Sequence, residues 1–268
     1  VSGHAKWLRQ WPPSGPAVFR LGRAGDDLVA EWPGFGILRA DVAGERSEFT
    51  PGTSGPLHVH ERLSEVVAAL LRHLRGGITL HASSISYRDV ALACLGETGA
   101  GKSTLAARLC ASADVALLSD DTTALRLEGP HIEVDPTEGH HWLRADMALA
   151  MGIDPDGRLK VPLAAKRHGL EPVCVGAIIA LAFDDAAPVP KLTRMHGAEA
   201  FSALSLATFR FALDVPHVLQ LELDNLARIA REIPIYELRR CREPASMEAS
   251  SPIVRRLLEQ IAEGAETA

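Results

Sequence analysis

Apolar positions give the first outline of the chain. Leu63, Val66, Val67, Leu70, Leu71 and Leu74 recur three and four residues apart, which predicts an amphipathic helix over 60–74 closed by Gly76-Gly77. Short apolar runs then predict strands at Ile78 to Leu80, Val90 to Leu95 and Val115 to Leu118. Thr123 to Leu127 reads as a further strand, and Val173 to Ala182 as a buried one. Helical spacing returns at 103–110, 198–213, 223–232 and 251–263, the last with Ile253, Leu257 and Ile261 on one side and a frayed end over 259–268. The first 57 residues differ: Gly, Pro and Trp surround short apolar stretches such as Val18-Phe19 and Gly36-Ile37-Leu38, a pattern of short strands and turns. Trp7, Trp11 and Trp32 would form either a small core or a recognition surface. The expected organisation is a small β-rich region at 1–57 and a main α/β domain at 58–268, with helices packed on a sheet.

Composition narrows the class. The chain has 268 residues, 47% hydrophobic and 23% charged, ordinary values for a soluble globular protein with one large domain or one domain and an appendage. A net charge of −6 argues against nucleic acid or an anionic membrane as a partner. No apolar run reaches the roughly 18 residues that would span a bilayer, and the first residues lack a signal-peptide core, so a cytoplasmic protein is expected. The four cysteines, Cys94, Cys110, Cys174 and Cys241, form no C-x-x-C pair and read as reduced, mostly buried thiols.

The strongest chemical signal is Gly96-Glu97-Thr98-Gly99-Ala100-Gly101-Lys102-Ser103, a full match to G-x-x-x-x-G-K-[ST] between a predicted strand and a predicted helix. Such a loop wraps tightly and aims backbone N–H groups at phosphates, and the helix behind it adds its positive end. Lys102 would reach the β- and γ-phosphates of ATP, and the Ser103 hydroxyl would bind Mg²⁺. Asp120-Asp121 close the next strand. One carboxylate could hold the metal and the other could orient or deprotonate an attacking hydroxyl. An ATPase pattern would carry Glu in the second place. Asp121 stands there instead, and the pair follows soon after the loop, which favours transfer to a hydroxyl over hydrolysis.

Leu80-His81-Ala82-Ser83, the loop at Gly96 to Ser103 and Leu118-Ser119-Asp120-Asp121 stand in that order. Together they resemble the catalytic domain of the HPr kinase/phosphorylase family and its smaller relatives over about residues 75–127. The resemblance implies a P-loop kinase core of the HPr kinase and phosphoenolpyruvate carboxykinase type, and ATP-dependent phosphorylation of serine. It makes Asp120 the base for the acceptor hydroxyl, Asp121 a support for Mg²⁺ or the transferring group, and His81 a neighbour that tunes the aspartate. Thr104 stands where the family carries Glu after the G-K-S, so one acidic group of the metal site is missing. The family's later Arg-Gly signature is also absent, which sets this chain apart from the bifunctional enzymes. It resembles more closely the short relatives that act as lasso-peptide kinases on the C-terminal serine of a ribosomal precursor. A peptide or protein with an acceptor serine is the expected partner, and homo-oligomerisation stays open. Two other readings stay open: a nucleotide-switched regulatory module, and a kinase for free serine or another small molecule.

Weaker candidates surround these. Arg158, Lys160, Lys166 and Arg167 form a basic cluster from which Lys160 is selected as a phosphate or substrate clamp. Arg210, between Phe209 and Phe211, would need an anionic partner, either a substrate group or an internal carboxylate. Glu138 could replace the missing acidic ligand. His58-x-His60 and His140-His141 invite a metal reading that their spacing supports weakly.

Overall fold

The computed structural model describes residues 5–53, 57–150, 152–186, 189–211 and 215–266, with backbone alone at 57–62, 150 and 265–266. The chain divides into two compact units. One comprises Val1–Gly77 with Phe209–Leu223, the other Ile78–Thr208 with Asp224–Ala268.

The first unit holds β1 (Lys6–Trp11), β2 (Phe19–Ala24), β3 (Asp27–Trp32), β4 (Gly36–Ala40) and β5 (Ser47–Pro51) in one antiparallel sheet, in that order, followed by α1 (Leu57–Leu74). Leu70 and Leu74 of α1 join Leu21, Leu28 and Leu38 of the sheet in one apolar cluster. The division therefore falls after Gly77 and not between 57 and 58: the apolar stripe of α1 closes the core of the small sheet. The helix ends as expected, with Gly76 at φ 78° and the Gly77 N–H bonded to the Arg72 carbonyl at 2.9 Å. The tryptophans do not act together. Trp32 packs on Phe19 with ring centroids 5.2 Å apart, Trp7 lies under the Arg20 guanidinium, and Trp11 is 64% exposed.

The second unit carries the remaining strands: β6 (Ile78–Leu80), β7 (Ala82–Tyr87), β8 (Val90–Leu95), β9 (Val115–Ser119), β10 (Thr123–Arg126), β11 (Glu133–Asp135), β12 (His140–Arg144), β13 (Lys160–Ala164), β14 (Val173–Phe183), β15 (Lys191–Arg194) and β16 (Ile235–Arg240). Its helices are α2 (Lys102–Leu109), α3 (Ala145–Ala150), α4 (Gly197–Ala207), the end of α5 (Pro216–Glu232) and α6 (Pro244–Glu266). The main sheet runs β6-β10-β11-β14-β8-β7-β9, and β16 pairs with both β14 and β15. Among the strands of the described residues only β8–β14 and β14–β16 pair in parallel, so the unit is a mixed α/β structure with a parallel centre and antiparallel flanks. β12 and β13 form a separate antiparallel pair.

Strand periodicity explains the layering. Leu92 and Cys94 of β8 face α2 and α6, while Ala91, Ala93 and Leu95 face α4 and α5. Both faces are covered, which is why β8 reads as an unbroken apolar run. Three helices differ from expectation in their bounds, and one of them, α5, begins at Pro216 instead of 223. α4 ends at Ala207, with Thr208 extended and bridged to Leu80, so Arg210 lies outside it. α6 begins at Pro244 and runs through Pro252, because Met247, Ser250 and Val254 are all buried. It continues to Glu266, past the expected fraying point. No helix among the described residues is long and apolar enough to cross a membrane.

Candidate active site around the glycine-rich loop

β8 delivers the chain to Gly96, and α2 begins at Lys102, so the loop spans the end of a buried strand and the start of a helix. Gly101 caps α2 at φ 95°, a conformation L side chains rarely adopt. A Cβ there would also lie 2.3 Å from Met247 Cε and 2.8 Å from Arg240 Nη2. The backbone therefore favours glycine, and a side chain here would also make the Met247 and Arg240 ends shift. Lys102 is 5% exposed, and its Nζ donates to the carbonyls of Gly96 at 2.8 Å and Glu97 at 3.3 Å. Burial lowers its pKa against the opposing pull of Asp121, and Lys160 adds to the lowering. A bound anion would supply the counter-charge that two carbonyls only partly provide.

The two aspartates part company. Asp120 is fully buried and does not line the cleft. Its Oδ1 accepts from Ser83 Oγ, from Ser103 Oγ at 2.9 Å and from the Asp121 N–H at 3.1 Å, and its Oδ2 accepts from the Trp142 N–H at 2.6 Å. Burial pushes its pKa up, and the Ser83, Trp142 and Ser103 donors work against that. Asp121 instead lines the cleft. Its backbone is left-handed at φ 66°, tolerated by Asp at tight turns, and its carboxylate is ion-paired with Lys160 Nζ. The Asp121 carbonyl receives a 3.0 Å hydrogen bond from His81 Nδ1. A carbonyl only accepts, so Nδ1 carries the hydrogen and Nε2 is left with its lone pair. Burial, then Lys102, lowers the His81 pKa, and the ring is neutral near pH 7.

These groups meet in one cleft of about 530 Å³, within the range of small-molecule sites, roughly 300–1,000 Å³. His81, Glu97, Thr98, Gly99, Gly101, Lys102, Ser103, Thr104, Asp121 and Lys160 all line it. Lys102, Arg108, Arg144, Lys160, Arg240 and Arg242 outnumber the lining acids Glu97, Asp121, Asp146 and Glu243, which makes the cleft locally cationic on an acidic chain. Ser103 and Asp121 offer hard oxygen donors. That set fits Mg²⁺, which takes few protein ligands and completes its shell with waters and phosphates. Among the described residues no group of three or more His, Cys, Asp or Glu side chains is placed to hold a metal by itself.

Several candidates lie elsewhere. Arg210 belongs to the other unit and pairs with the buried Glu222, whose second oxygen meets His73 Nε2 at 2.9 Å. Its anionic partner is thus an internal carboxylate and not a substrate. Glu138 is committed as scaffold: it accepts from the Asp120 N–H at 3.1 Å and from Trp142 Nε1 at 2.6 Å. Of the basic cluster only Lys160 lines the cleft, while Lys166 and Arg167 bond the carbonyls of Ala111 and Ala113. His58 and His60 lie outside the described side chains. Cys94 and Cys110 are buried, with thiol pKa values pushed up to about 12, whereas Cys174 is exposed and Cys241 half-buried.

His141, beside Trp142, is 2% exposed, and its Nδ1 has no hydrogen-bond partner among the described residues. Burial lowers its pKa from 6.5 to about 4. The unfolded chain therefore takes up a proton that the folded chain refuses. Stability is complete above pH 6.5 and is lost as pH falls toward 4, by up to about 3 kcal/mol from this group. Urea midpoints measured across that range should fall for the wild type and fall less for His141→Phe.

The site also holds residues without a sequence signal of their own. Trp142 acts on Asp120 through its backbone N–H, and Arg240 belongs to no motif. Ser83 does stand in the His81 stretch, where its hydroxyl could have been read as a partner for a carboxylate.

No family model matches the chain, and no curated protein matches it. Among solved structures it is similar to the Hpr(Ser) kinase/phosphatase from Coxiella burnetii, at 15% identity over 68% of this chain and 98% of that one, with a TM-score of 0.36. A likeness at that level adds nothing to what the residues themselves support.

Proposed function

We propose that the chain is an ATP-dependent serine kinase, transferring the γ-phosphoryl of ATP to a serine of a peptide or protein, with the C-terminal serine of a ribosomal lasso-peptide precursor as preferred acceptor. The observation that carries this reading is the convergence of Lys102, Ser103, Asp121, His81 and Lys160 on one cationic cleft at the glycine-rich loop. A C-terminal serine presents its hydroxyl beside a carboxylate, an anion that suits such a cleft.

The two carboxylates take different roles from those the family resemblance implies. Asp120, sealed away and bonded to Ser103, orients the hydroxyl that would hold Mg²⁺. Asp121, in the cleft, is the group that can accept the serine proton. Mg²⁺, when bound, neutralises charge on the phosphates. In the transfer, serine Oγ forms a bond to the γ-phosphorus, the bond to the β–γ bridging oxygen breaks, and its electron pair leaves with ADP. The hydroxyl proton goes to Asp121. Lys160 holds the Asp121 carboxylate in place before the substrates arrive, and Lys102 and the loop amides carry the developing charge. His81 fixes the left-handed turn at Asp121 through its carbonyl.

The test is a panel of acceptors incubated with the full chain, ATP and MgCl₂ and read by mass spectrometry. It contains a peptide ending in serine, the same peptide ending in alanine, free serine and HPr. The expected result is one added phosphoryl group on the serine-ended peptide alone. Phosphorylation of free serine with the peptides untouched would replace this reading by a small-molecule kinase. ATP binding without transfer to any acceptor would favour a nucleotide-switched module.

A further inference from the structure

Arg240 ends β16 and is 4% exposed, yet it forms no ion pair with any carboxylate among the described residues. Its Nη1 donates to the Cys241 carbonyl at 3.0 Å and its Nη2 to the Ala100 carbonyl of the glycine-rich loop at 2.7 Å. Its guanidinium centre lies 4.8 Å from the centre of the Phe183 ring, whose other cationic neighbour is Arg242 at 4.0 Å. Two of its five N–H donors are used in this way, and the residue lines the cleft. Burial lowers its pKa, the Cys241 thiol pulls the other way, and Arg242 presses it down further. No carboxylate contributes.

A guanidinium so far from water, without a counter-ion, is costly unless something else supplies the negative charge. Two half-buried cations are matched by carboxylates, Lys160 by Asp121 and Arg255 by Asp114 and Glu259. Among the described residues Arg240 and Lys102 are not: both are buried and donate to backbone carbonyls, Arg240 at the place where the loop turns into α2, close to the Gly101 Cα.

We propose that Arg240 is a phosphate-binding residue of the cleft, its free N–H donors taking an oxygen of the nucleotide's phosphate chain while its Nη2 holds the loop at Ala100. This rests on the nucleotide reading of the site and extends it to a residue distant in sequence from the loop. The planar fork suits a phosphate that is bound across two oxygens, which an ammonium group cannot match. Arg240 thus faces the phosphates from the β16 wall, and Lys102 from the loop itself.

The experiment is calorimetric titration of the full chain with ATP and with tripolyphosphate, both with MgCl₂, for the wild type, Arg240→Met and Arg240→Lys. Tripolyphosphate lacks base and ribose and reports on the phosphate contacts alone. The wild type is expected to bind both ligands. Arg240→Met should weaken both by about ten-fold or more, and Arg240→Lys by several-fold. A purely structural Arg240 would lower the unfolding temperature of the free protein and leave the affinity of the folded fraction unchanged, which would overturn the proposal. If Arg240→Met does not fold, Arg240→Lys decides: wild-type affinity for tripolyphosphate overturns the assignment. A wild type that binds neither ligand would remove the nucleotide reading itself and the proposal with it. A wild type that binds while the variants bind equally well would remove the Arg240 assignment alone.

Discussion

Replacing Asp121 by Asn is expected to slow phosphoryl transfer by about 10²- to 10⁴-fold, the usual contribution of a positioned general base. Nucleotide affinity should stay within a few-fold of the wild type, because the loop amides and Lys102 are untouched. Asn accepts the left-handed backbone at φ 66°, so the turn survives the change. Single-turnover transfer, paired with calorimetric binding of ATP, separates the two effects. The assignment is specific to this aspartate, since Asp121 lines the cleft and Asp120 is sealed behind it. If Asp120→Asn lost the chemical step and kept its fold while Asp121→Asn stayed active, the roles would have to be exchanged.

Replacing Asp120 by Ala is expected to act first on stability. The substitution strips the acceptor from two hydroxyls, of Ser83 and Ser103, and two backbone N–H groups, of Asp121 and Trp142, in a fully buried position. An unsatisfied buried donor costs about 1–3 kcal/mol, so a total loss of about 3 kcal/mol or more follows even after partial relaxation. In a domain of this size that corresponds to a fall of roughly 6–12 °C in the unfolding temperature. Calorimetric melting of the free protein measures it. The folded remainder should also show a weaker dependence on Mg²⁺, because Ser103 loses the partner that aims its hydroxyl. An unchanged melting temperature would mean that Asp120 is not the anchor its four donors make it.

The parts legible in sequence were those whose signal is local. The helix now bounded at Leu57–Leu74 announced itself by its apolar stripe, and the loop by the spacing of its glycines and lysine. β12 and β13 gave no signal: His140–Arg144 and Lys160–Ala164 are five-residue strands with no apolar alternation, fixed only by pairing with one another. Yet β12 brings Trp142 to Asp120, and β13 brings Lys160 to Asp121. β16 was hidden because Glu237, Arg239 and Arg240 read as a solvated surface, whereas the strand lies against β14 and buries Arg240. The helix expected over 251–263 begins earlier, at Pro244, because tertiary packing carries α6 through Pro252. Arg210 was legible only in part. An unusual cation among aromatics was legible, but which carboxylate met it depended on Glu222 folding back beside it. The order of the two aspartates in sequence was also silent about depth. Asp121, in the left-handed turn at φ 66°, lines the cleft, and Asp120, one residue before it, does not.

The most direct test of the central claim is ADP formation by the full chain with ATP and MgCl₂, measured with and without a serine-ended peptide, for the wild type and Asp121→Asn. A transferase built as described releases ADP in proportion to phosphopeptide, releases little without the peptide, and loses both in the variant while still binding ATP. ADP released at the same rate without an acceptor, or unchanged turnover in Asp121→Asn, would contradict it.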